Sequence, residues 1–67
     1  MFEITKHMGE GREQWVGKFR DLKTAREFAA VASKDEDAEY IVRGPNEPHG
    51  IVFLQAIYRD GVEVEDA

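Results

Sequence analysis

The 67-residue chain has no cysteine, one serine, two prolines and one tryptophan. Without cysteine there is no disulfide framework and no thiolate metal site; that usage suits a reducing compartment, and the chain is read as cytoplasmic. No apolar run is long enough to cross a bilayer, and residues Met1 to Lys6 alternate instead of forming the apolar block of a secretion signal. Ser33, the lone serine, has no histidine near it in sequence, so serine-type hydrolysis lacks its nucleophile and base. His7 and His49 stand apart; with Glu47 they make a conceivable zinc set, but without the spacing of a zinc motif. The acidic stretch from Lys34 to Glu39 lacks the glycine and the distal glutamate of a calcium loop. Gly9 and Gly11 precede a strand pattern and not a helix, which argues against a phosphate cradle. The reading is of a non-enzymatic chain without metal, cofactor or catalytic residues.

What is present is one short amphipathic helix among strands. From Asp21 to Ser33, the residues Leu22, Ala25, Phe28, Ala29 and Ala32 fall on one stripe at helical spacing, with small side chains that allow close approach to a sheet. Asp21 is expected to cap the first turn with its carboxylate, and the acids after Lys34 to end the helix. Such a short helix is unstable alone in water and must dock. Before it, Phe2, Ile4 and Met8 alternate with polar residues, and Gln14 to Phe19 form a second strand with Trp15, Gly17 and Phe19 assigned to one face. Gly17, inside a strand, signals a bulge or a close approach. After the helix come Tyr40 to Arg43, a stiff loop from Gly44 to Gly50, a long strand from Ile51 to Tyr58, a turn at Asp60 and Gly61, and a short last strand at Val62 to Glu65. The order implies a single small α+β domain spanning residues 1–67. Its single antiparallel β-sheet of four to five strands carries one helix packed on one face, a ββαββ layout with a short final strand.

The long strand carries the functional argument. Ile51, Phe53 and Ile57 point one way, and Val52, Leu54, Ala56 and Tyr58 the other, so both faces are apolar. One helix covers one side of a sheet, and something else must cover part of the second: the Pro45 to Pro48 loop, Trp15, a second copy or another protein. Charge adds a second asymmetry, since residues 1 to 34 carry a balance of +2 and residues 35 to 67 a balance of −7. The acidic half opposes nucleic acid and anionic membranes at long range and steers toward a basic protein. Protein binding is therefore the leading expectation. Its candidate contact residues are Trp15, Tyr40, Val52, Leu54 and Tyr58, the acids Asp35, Glu36 and Asp37, and the loop residues Asn46, Glu47 and His49. Two alternatives remain open: a homodimeric structural or regulatory module, and a weak nucleic-acid binder using Lys18, Arg20, Lys23 and Arg26 beside Trp15 and Phe19.

With its hairpin, its helix at Asp21 to Ser33 and the strands that follow, the chain resembles the small single-domain accessory proteins of phages and other mobile elements, some anti-CRISPR proteins among them. The resemblance covers the layout of the whole chain and its acidity. It implies a non-enzymatic inhibitor that blocks a host or defence protein by stoichiometric binding.

Overall fold

A computed structural model describes residues 1–44 and 53–64. Five strands, β1 (Phe2–His7), β2 (Glu13–Phe19), β3 (Glu39–Arg43), β4 (Leu54–Arg59) and β5 (Val62–Val64), form one sheet, and the helix α1 (Leu22–Asp35) lies between β2 and β3 in the chain. The spatial order is β2-β1-β3-β4-β5, and every neighbouring pair is antiparallel. The α+β layout expected from the sequence is the one observed.

Local chemistry accounts for the ends of these elements. Asp60 and Gly61 both take positive φ, at 54° and 80°, which lets the β4–β5 chain reverse with the twist that paired strands require. Asp21 sits at the helix N-cap in an extended conformation, but its carboxylate makes no capping bond; its backbone carbonyl accepts the Ala25 N–H at 3.0 Å. At the other end the Glu36 N–H bonds to the Ala32 carbonyl at 3.0 Å, so the helix runs to Asp35, a little past the predicted stop. The expected acidic unfavourability at that end is met in part by Glu36, which is paired with Lys6.

The core lies between the helix and one sheet face. Ile4, Val42, Ala56, Tyr40 and Tyr58 from the sheet meet Ala25 and Ala29 from the helix, all at least nine-tenths buried. The small helical residues bring the two layers close, as the stripe predicted. Phe28 departs from it: this ring lies at the flank, 40% exposed, and packs on Phe19 with centroids 5.1 Å apart. Ser33 takes its place inside. Fully buried, its Oγ donates to the Ala30 carbonyl and accepts the Gly61 N–H, both at 3.0 Å, tying the last helical turn to the β4–β5 turn.

Two irregularities set which side chains face away from the helix. The β1–β2 register shifts between Ile4, opposite Gly17, and Thr5, opposite Trp15, so Val16 is an extra residue. Gly17 thus adjoins the bulge its position signalled, and nothing but the Phe19 ring, at 3.8 Å, approaches its missing side chain. The second shift falls between Val42, opposite Ala56, and Arg43, opposite Leu54. There the Gln55 side chain donates to the Gly44 carbonyl at 2.7 Å.

Candidate functional site

Side chains alternate across a strand, so the residues between core positions point to the face opposite the helix. Registers across the five strands place Trp15, Thr5, Ile41, Ile57 and Val64 in one row on that open face. Ile41 is only 8% exposed, whereas Trp15 at 57% and, beside the row, Leu54 at 45% and Val62 at 65% present their apolar surface to solvent. One flank of the row carries Lys18, Glu3, Arg43 and Leu54; the other carries Glu13, His7, Glu39, Arg59 and Val62.

The charges of this face neutralise one another. Arg43 lies across the sheet from β3 to β2, donating to Thr5 Oγ1 at 3.0 Å and to Glu13 at 2.6 Å, and Arg59 pairs with Glu39 on the neighbouring strand. The hydrogen bond from Arg43, and secondarily that from Thr5, holds the Glu13 carboxyl below its ordinary value. Three acids, Glu3, Glu13 and Glu39, balance Lys18, Arg43 and Arg59. A chain of net charge −5 therefore presents a near-neutral sheet face, and its acidic excess lies elsewhere.

Part of that excess gathers where the helix ends. Asp35, Glu36 and Asp37 lead from the helix into β3, and Asp60 lies in the turn that Ser33 holds against the helix. Glu36 accepts from Lys6 Nζ at 2.9 Å and from Tyr40 Oη at 2.8 Å, and the two bonds, Lys6 first, lower its pKa. Desolvation, reinforced by that same carboxylate, pushes the Tyr40 hydroxyl up to about 12. On the other side of the helix, Arg26 Nε donates to Tyr58 Oη at 3.0 Å and its guanidinium pairs with Glu63; the Tyr58 bond is the larger cause of its raised pKa.

The expected contact residues therefore divide. Trp15 and Leu54 stand exposed on the open face. Tyr40 and Tyr58, 4% and 7% exposed, do not: they lie beneath the helix, and their hydroxyls fasten its flanks. Burial removes both from any surface available to a partner. Trp15 also leaves the face it was assigned, because the bulge at Val16 separates it from Gly17 and Phe19 and puts Val16 against the core. Val52, Asn46, Glu47 and His49 lie outside the described residues, as does Ile51. Residues that strand alternation alone did not single out are Ile41, Ile57, Arg43 and Val62. The available signal was the pairing of Ile41 with Ile57 through opposed two-sided strands, but it needs the register to be read.

The residues of the nucleic-acid alternative lie on more than one surface. Lys18 and Trp15 face away from the helix, Phe19 packs on Phe28, and Arg26 is engaged with Tyr58 and Glu63 on the far flank. A cleft of about 380 Å³ opens at the end of β1 and β3, lined by residues including His7, Met8, Asp37, Glu39 and Arg59. Among the described residues no group of three or more histidines, cysteines and acids is placed to hold a metal ion. No described helix is long and apolar enough to cross a membrane. Comparison with protein-family models, curated proteins and solved structures gives no match.

Proposed function

We propose that this is a non-catalytic protein-binding module whose working surface is the open face of the sheet. The observation that carries the reading is the exposure of Trp15, Leu54 and Val62 around Ile41 and Ile57, on a face where Arg43 and Arg59 pair with Glu13 and Glu39 within the chain. Bringing such a face against another protein removes apolar area from water, and the charges of Arg43 and Arg59 are already neutralised by partners within the chain, which lowers the cost of desolvating them. Trp15 is the residue type most enriched among the few that dominate binding energy. The module acts by occupying a surface. By its likeness to phage-type inhibitors, the surface it occupies is the working surface of a host or defence protein, blocked one for one.

The test compares two faces of one molecule. Leu54→Lys on the open face abolishes capture of the bound protein, whereas Val31→Lys, on an exposed helix position (Val31 is 64% exposed), leaves capture intact. Both variants keep the wild-type circular dichroism spectrum. Equal capture by Leu54→Lys, or loss with Val31→Lys alone, would show that the working surface is elsewhere.

A further inference from the structure

We infer that the open face receives a second copy of this chain, packed face to face about a two-fold axis that runs across the strands along the row Trp15, Thr5, Ile41, Ile57, Val64. The inference rests on the reading of that face as a protein contact surface and names what covers it in the free protein, a copy that a target protein must displace. An isologous contact brings each surface against its own image, so a face can be checked for self-complementarity from its own residues. Rotation about the central row superposes that row on itself, apolar upon apolar except at Thr5, and exchanges the two flanks.

The exchange matches charge on β2 and β3 and opposes no like charges on β1 or β4, where Leu54 comes over the partner's Arg59. On β2, Lys18 comes over the partner's Glu13; on β3, Arg43 comes over the partner's Glu39; on β1, Glu3 comes over the partner's His7. Each contact occurs twice by symmetry. The competing two-fold axis, parallel to the strands through β3, fails the same check, because it sets Arg43 on the partner's Arg43 and Glu39 on the partner's Glu39. Like charges directly opposed across a closed contact are costly, so the charge pattern selects one orientation over the other. Axis and strands then agree with the aligned packing that two twisted sheets prefer. The balance of charge on the face also removes the repulsion that a chain of net charge −5 would otherwise meet in its own copy.

Size sets the strength. Five strands spaced by about 4.8 Å and three rows of side chains give a face of roughly 24 by 17 Å, so two copies bury on the order of 1,000 Å² in total. That is the lower end for a specific interface, the size class of weak and transient contacts, and a dissociation constant on the order of 1 to 100 µM is the expectation to test.

Sedimentation of the full chain from about 1 to 500 µM, a range that spans this dissociation constant, is the primary experiment. The expected result is a mass rising from 7.7 kDa to twice that value. The orientation is tested by a pair of charge-swapped chains. In Lys18→Glu/Arg43→Glu the flanks become predominantly acidic, with Arg59 the one basic residue left, and in Glu13→Lys/Glu39→Lys they become predominantly basic; each alone is monomeric, and an equimolar mixture restores the doubled mass. An unmodified chain that stays monomeric throughout overturns the inference, as does self-association of either swapped chain at parental strength or failure of the mixture to associate. If a swapped chain does not fold, dilution of the unmodified chain followed by Trp15 emission, which moves to the red as dimers part, still decides. A monomeric chain that loses another protein on Leu54→Lys refutes the second copy and retains the contact surface. A dimer broken by Val31→Lys and indifferent to Leu54→Lys refutes both.

Discussion

Replacing Ser33 by alanine removes one oxygen from the place where helix and sheet are joined. Its hydroxyl is fully buried, and it is the acceptor for the Gly61 N–H while donating to the Ala30 carbonyl. The Ala30 bond adds little, since helical serine bonds of this kind compete with the backbone ladder. The Gly61 bond is the one that matters: a deprived donor costs about 1–3 kcal/mol, toward the lower figure here because Gly61 is half-buried and water can reach part of it. Against this, alanine improves helix propensity by about 0.5 kcal/mol. The net loss is about 1 kcal/mol, which lowers the melting temperature of a domain this size by about 4–8 °C. Thermal unfolding followed by circular dichroism measures it, and amide exchange at Gly61 reports the local event. Thr24→Ala, on an exposed helical position, is the control for propensity and raises stability by a few tenths of a kcal/mol, about 0.5 at most. An unchanged melting temperature for Ser33→Ala, with unchanged exchange at Gly61, would refute the assignment of the clasp to this hydroxyl.

Gly44→Ala is expected to be far worse than Gly17→Ala: at Gly44 φ is +153° and a methyl would come within 2.6 Å of the Phe2 ring and 3.0 Å of the Phe2 Cα, against a nearest contact of 3.8 Å at Gly17. Urea unfolding of the two variants checks the order, and comparable losses would count against the described approach of β1 to Gly44. Acid weakens the fold through Glu13 and Glu36. Both ionise more readily when folded, so the stability they add is complete above the ordinary carboxylate value of 4.5 and fades as pH falls through their lowered values; Glu36→Gln flattens that decline. Alkali acts through Tyr40, whose folded value is raised: its contribution is complete below 10 and is lost as pH climbs from there to about 12, a decline that Tyr40→Phe removes. At low protein concentration Trp15, 57% exposed and the only tryptophan, is expected to be quenched freely by acrylamide, and a shielded indole there would show that another part of the chain covers the open face.

What could be read from the sequence was what depends on near neighbours. The Asp60 and Gly61 turn, the helix stripe at Ala25 and Ala29, and the strand alternation around Ile4 each follow from residues a few positions apart. The faces of β2 and β4 did not, because a single extra residue reverses the phase of everything beyond it and its position depends on the partner strand. Trp15 was separated from Phe19 in that way, and Leu54 from Ala56. Tyr40 and Tyr58 show a different limit. A tyrosine with an apolar body and a polar tip suits an interface and a core margin equally, and only the nearness of Glu36 and Arg26 decides between them.

The place of β1 in the sheet has a consequence for how the molecule comes into being. Although first in the chain, this strand is hydrogen-bonded along both edges, by β2 on one side and by β3 on the other. A growing polypeptide stopped before Glu39 holds only a hairpin and an unsupported helix, each marginal in water. Assembly therefore waits for the ribosome to deliver β3, and the cooperative step comes when that distant segment closes over residues made long before.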